Sequence, residues 1–128
     1  MVTERRKTGD LGEEIAAQFL ERKGFKVIER NFRKPWGEID LIAEKGGGVR
    51  FIEVKAVSRD TLAGVTRERM YNSAEELAHA SKLSKVARTA QLYMETKRDD
   101  RDFQIDVVTV YLNTATRQAT CRLYEQVL

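Results

Sequence analysis

The sequence predicts a single α/β (α+β) domain over 1–128, with an αβββαββ order and helices flanking one mixed central sheet. Three observations carry this. Leu11, Ile15, Ala16, Phe19 and Leu20 recur with helical period near the start. Two strand-like runs, 38–44 and 49–57, are separated by Gly46-Gly47-Gly48. A second helical stripe, Leu83, Val86, Ala87, Ala90, Tyr93 and Met94, is followed by the strand-like run 103–112.

The elements follow in order. Residues 1–9 carry Arg5, Arg6 and Lys7 with few apolar partners, which reads as a flexible basic arm. Asp10 is placed to cap a helix, with Glu13 as its capping-box partner and Gly24 as the C-terminal cap, so the first helix is expected over 11–23. A strand is expected over 25–32, ended by Pro35-Trp36-Gly37. The runs on either side of the glycine triplet read as an antiparallel hairpin. Residues 58–72, with Arg59, Arg67 and Arg69 around Gly64, read as a long mobile loop. Ser73 with Glu76, and Ser81, are candidate helix caps. The second helix ends near the charged run 97–102, and 119–128 is expected to be an edge strand.

Composition sets outer limits. With 41% hydrophobic and 34% charged residues the chain can build a core, and it has no apolar run of membrane-spanning length. The first residues show no signal-peptide apolar region, so a cytoplasmic location is expected. A lone Cys121 and a single histidine leave no internal disulfide and no four-ligand zinc site. The net charge of +3 is a slight bias towards polyanions, so the placement of charge matters more than its sum.

The chemistry concentrates in Glu38-Ile39-Asp40 and Glu53-Val54-Lys55. Alternation puts Glu38 and Asp40 on one face of a strand, and Glu53 and Lys55 on one face of the next. Pairing about the glycine triplet makes Asp40 and Glu53 cross-strand neighbours, with Ile39 and Leu41 together on a core face. Two close carboxylates repel unless a proton or cation intervenes. Such a pair suits magnesium, which takes oxygen ligands and keeps several waters. The competing reading is an exposed cross-strand salt bridge. Against it, Glu53 and Lys55 interrupt a run, Phe51 to Val57, that otherwise looks interior.

Asp40, twelve intervening residues and then Glu53-x-Lys55 resembles the PD-(D/E)XK nuclease signature. The words Gly37-Glu38-Ile39-Asp40-Leu41-Ile42-Ala43 and Phe51-Ile52-Glu53-Val54-Lys55 resemble the YraN-like family of uncharacterised bacterial proteins, related to archaeal Holliday junction resolvases. Gly9, Glu13, Gly24-Phe25 and the later helix with Lys82, Val86, Ala90 and Tyr93 are similar too. The resemblance covers roughly 9–112 and departs from the signature where Ile39 replaces its proline.

The resemblance implies a restriction-endonuclease-like αβββαβ core. It implies magnesium or manganese held by Asp40 and Glu53, with the Val54 carbonyl as a further ligand. Lys55 would assist the attacking water. Glu13 would be an auxiliary acid, or else only the capping-box glutamate. Glu38 would support the site, or else be an exposed strand-end carboxylate.

Lys82, Lys85 and Arg88 lie near one helical face and, with Arg67 and Arg69, are candidate DNA phosphate contacts. A solvated helix face is the competing reading. Trp36 has two readings, a base-stacking surface and a cap on the core. Asp106 is read as structural, and Tyr93 and Met94 as core. Three functions follow: a magnesium-dependent endodeoxyribonuclease acting on DNA, branched DNA included; a non-catalytic nucleic-acid-binding module on the same fold; or an interaction protein in which the acidic hairpin is a solvated surface. A homodimer is compatible with each.

Overall fold

Helical periodicity at the N-terminus becomes a longer helix than the capping signals predict. In a computed structural model, which describes residues 4–59 and 80–128, helix α1 spans Glu4–Arg22. The basic residues expected in an irregular arm therefore have helical backbone from Glu4 onward. Asp10 lies inside the helix and is not its N-cap, so the capping-box reading of Glu13 falls with it. The C-terminal expectation holds. Phe25 N–H donates to the Leu20 carbonyl and Gly24 N–H to the Glu21 carbonyl, both at 3.0 Å, with Gly24 at φ +90°. That is a Schellman closure, and glycine is there because the backbone is left-handed.

Five strands follow: β1 (Lys26–Lys34), β2 (Gly37–Lys45), β3 (Gly48–Arg59), β4 (Phe103–Asn113) and β5 (Gln118–Tyr124). Helix α2, Ala80–Thr96, falls between β3 and β4. The spatial order is β1-β2-β3-β4-β5. Neighbours are antiparallel except β3 and β4, which run parallel because the connection holding α2 carries the chain back. Gly46 and Gly47, at φ +58° and +81°, close the β2–β3 hairpin in two residues, a turn that suits the twist of its strands.

The helices cover opposite faces of this sheet. On one face Ala16, Ala17 and Leu20 of α1 pack against Leu41, Ala43, Ile52, Val108 and Val110. On the other, Leu83, Val86, Ala90, Tyr93 and Met94 of α2 pack against Ile39, Ile42, Val49, Phe51 and Ile105. Central strand β4 is consequently buried from Ile105 to Leu112, as expected of a parallel strand covered on both sides. Inside it, fully buried Asp106 pairs with Arg50 at 2.8 Å and accepts bonds from Gln104 and from the Gln126 backbone, so its structural reading holds.

Three further boundaries differ from expectation. Strand β3 continues to Arg59, into the segment read as loop, and Ser81 lies within α2 rather than before it. The last strand stops at Tyr124. The tail turns back so that Val127 N–H bonds to the Ile105 carbonyl at 2.9 Å. The remaining candidate caps, Ser73 with Glu76, and most of the expected loop lie outside the described residues. No helix among the described residues is long and apolar enough to cross a membrane.

Candidate functional site

Asp40 stands where β2 parts from β3. The hairpin register runs from Lys45↔Gly48 to Leu41↔Ile52 and ends there. At the next step, Asp40 Oδ2 instead accepts the backbone N–H of Val54 at 2.8 Å. Alternation breaks at the same residue. Ile39 joins the α2-side core and Leu41 the α1-side core, where a regular strand would put both on one face. The expected shared face of Ile39 and Leu41 is thereby corrected. Because the strand rotates here, one half-buried carboxylate is within reach of both layers.

Glu13 arrives from α1. A glycine just before it makes this possible: a Cβ on Gly12 would stand 2.3 Å from the Ala56 Cβ, so α1 lies directly on β3. Glu53 arrives from the α2-facing side of β3, following Phe51 by alternation. Lys82 in the first turns of α2 approaches it at 3.8 Å.

Burial and repulsion from Asp40 keep the two glutamic acids of this cluster protonated to a higher pH than is usual for a carboxyl. The Glu53 carboxyl is pushed up to about 8, first by burial and then by the Asp40 charge, with Lys82 pulling it back. The Glu13 carboxyl is pushed up to about 7, again by burial first and then by Asp40 and Asp10, with Arg33 opposing. Both glutamic acids are hydrogen-bonded to the Asp40 side chain. Protons thus do here what a cation would do between crowded carboxylates.

The donors are hard oxygens, the chemistry of magnesium or manganese rather than of a thiophilic metal. Among the described residues no three acidic, His or Cys side chains form a ready-made metal cluster. Magnesium asks only for one or two carboxylates with water completing its shell, and the Asp40–Glu53 pair meets that requirement.

Of the residues singled out in the sequence, Asp40, Glu53 and Glu13 come together. Glu38 is exposed, and its charge raises the Glu53 carboxyl further, so it borders the cluster. Lys55 follows on the Glu53 face of β3, half-buried and in register with Thr109 of β4. Among the described residues the cation paired with Glu53 is Lys82, not Lys55. Lys82, Lys85 and Arg88 are all exposed on α2. Arg67 and Arg69 lie outside the described residues. Trp36 is 52% exposed, which removes its reading as a core cap.

Sequence reasoning missed Gly12, although a mid-helix glycine costs roughly 1 kcal/mol against alanine and so signals close packing. It also missed Thr109, whose buried hydroxyl finds no partner among the described residues. Nothing in the linear pattern distinguishes that threonine from an ordinary β-branched strand residue.

The open mixed sheet with a helix on each face forms a restriction-endonuclease-like αβ core, consistent with a PD-(D/E)XK nuclease-like group. The chain belongs to the uncharacterised protein family UPF0102, which it matches over residues 12–110. It is 40% identical over 103 residues to a UPF0102 protein of Wolinella succinogenes, covering 80% of this chain and 84% of that one. A UPF0102 protein of Syntrophomonas wolfei is 37% identical over 106 residues, covering 82% and 84%. Among solved structures, Pyrococcus furiosus SfsA in complex with Ca2+ aligns with a TM-score of 0.37 at 19% identity, covering 97% of this chain and 64% of SfsA. This chain therefore spans less than two-thirds of SfsA, and a likeness at that level bears on neither mechanism nor substrate.

Proposed function

We propose that this chain is a metal-dependent endonuclease that hydrolyses phosphodiester bonds in DNA, with branched or junction DNA as its leading substrate class. One observation supports the reading above others. Asp40 joins Glu13 and Glu53 at the point where the β2–β3 ladder ends, beside the basic face of α2.

Asp40 and Glu53 would hold magnesium or manganese, with the Val54 carbonyl as a further ligand. When bound, such an ion supplies an activated water and counter-charge for a phosphate oxygen. Asp40 also holds β3 through the Val54 N–H, which keeps the two acidic strands in fixed relation. Glu53 must release its proton before it can act as a ligand, and Lys82 favours that ionised form. Glu13 would accept a hydrogen bond from a water in the site, and Glu38 would be auxiliary. Lys55, on the Glu53 face of β3, would orient the attacking water or hold the phosphate. Lys82, Lys85 and Arg88 would contact phosphates without reading sequence, with Arg67 and Arg69 in the same role. A homodimer, one copy for each strand, belongs to the proposal and is read by sedimentation with and without junction DNA.

The test is cleavage of supercoiled, linear and four-way-junction DNA with magnesium or manganese. Wild type is expected to cut at least one of these, and Asp40→Ala and Glu53→Gln to lose roughly 100-fold or more in rate, the scale of losing a metal or a charge stabiliser. Salt-sensitive binding without cleavage, indifferent to metal and to Lys55→Ala, would instead identify a non-catalytic binding module.

A further inference from the structure

We infer that Trp36 is a stacking platform for one unpaired nucleobase, placed so that the strand running over the carboxylate cluster must be single-stranded or distorted beside the cut. The inference rests on the nucleic-acid reading above and deepens it.

Trp36 sits in the two-residue turn between β1 and β2, with 52% of its surface exposed. A large aromatic side chain left in water at a turn contributes little to the core. The turn that carries it is nevertheless tightly seated. A Cβ on Gly37 would lie 1.9 Å from Thr89 Oγ1, so the β-turn rests directly on α2. Thr89 itself is 1% exposed, and its hydroxyl donates to the Lys85 carbonyl at 2.9 Å. The indole is therefore carried on backbone clamped between sheet and helix.

The surroundings suit a polyanion. Arg33 and Lys34 precede the turn and are exposed. On α2, exposed Lys85 and Arg88 lie within the turn before Thr89, and Lys82 continues towards Glu53. An aromatic face interleaved with basic side chains is the usual composition of single-strand binding surfaces, where bases stack and phosphates are held by charge. From Gly37 to Asp40 is three residues of strand, roughly 10 Å at about 3.3 Å each, or about three nucleotide steps at about 3.4 Å. Within a duplex each base is already stacked on both sides, so an indole at that distance finds a free face only on an unpaired base.

The chain contains a single tryptophan, so its intrinsic fluorescence reports this residue alone. The experiment titrates metal-free protein with oligo-dT, with a long duplex of two complementary strands that has no loop or overhang, and with anionic lipid vesicles. Affinities come in parallel from the anisotropy of labelled DNA. Quenching by oligo-dT and little by the duplex is expected. Trp36→Ala should weaken oligo-dT binding by roughly 5- to 100-fold while leaving duplex binding unchanged, and Trp36→Phe should restore most of the loss. The inference is overturned by DNA binding without quenching, by equal effects on duplex and single strand, by absence of any DNA binding, or by an emission change with vesicles alone. No step here needs turnover. Stacking without cleavage would sink the nuclease proposal and keep this one, and cleavage without stacking would do the reverse.

Discussion

Asp40 Oδ2 accepts the Val54 backbone N–H at 2.8 Å, at the step where pairing between β2 and β3 has just ended. A side chain replaces a rung of the ladder, and the replacement gives Asp40 a structural duty besides its place among the carboxylates. Asp40→Ala leaves that N–H without its acceptor and should cost about 1–3 kcal/mol. Asp40→Asn keeps a carbonyl oxygen for the bond and should cost less. Urea unfolding near pH 5, where both neighbouring glutamic acids keep their protons, separates the two variants. Equal stability would mean the contact contributes nothing.

The raised glutamic acids set the pH dependence. Glu13 and Glu53 have folded-state pKa values above the ordinary carboxylate value, about 7 and about 8. The folded state therefore binds more protons than the unfolded chain between about pH 4.5 and 8, and stability falls as pH rises through that window. The decline should amount to a few kcal/mol at most, chiefly from Glu53, because solvent screens the more exposed Glu13. Thermal unfolding from pH 5 to 9 should show the decline in wild type and a smaller one in Asp40→Asn. A flat profile would contradict the cluster's electrostatics.

Gly12 predicts a substitution that defies helix propensity. Alanine ordinarily stabilises a helix interior by about 1 kcal/mol over glycine. Here its Cβ would meet Ala56 at 2.3 Å, and backbone stands behind it. Gly12→Ala should lift α1 from β3, lower stability by roughly 1–3 kcal/mol and displace Glu13. Chemical denaturation checks the first effect, and any cleavage rate the second.

Arg50 and Asp106 form a pair far from this chemistry in role. Arg50→Ala strands a fully buried carboxylate and should cost roughly 3–5 kcal/mol. Metal affinity of the folded variant should stay unchanged, which calorimetry at low temperature can check.

The order αβββαββ was legible because the apolar periods switch cleanly and the glycine signals are strong. Gly24 and the Gly46-Gly47 turn behave as their local backbone demands. The start of α1 was not legible, because a polar first turn looks like a loop when its capping signals compete with a better-looking Asp10 further along. The nearness of Asp40 to Glu53 followed from the length of the glycine turn, although the ladder stops one step short of pairing them. Arrival of Glu13 did not, because it depends on how α1 lies across β3, a tertiary packing fact set by Gly12. Local rules also missed the rotation of β2 at Asp40, since strict alternation was assumed where the strand leaves its partner. Lys82 was visible as a surface charge but not as the cation nearest Glu53, because that approach joins two elements far apart in the chain.

Calorimetric titration of manganese into wild type and Glu53→Gln tests the carboxylate cluster most directly. Wild type should bind the ion and release protons as Glu53 ionises, so the heat should depend on the buffer, and Glu53→Gln should lose most of the affinity and the proton release. Equal binding by both proteins, or none by wild type at millimolar manganese, would contradict the account.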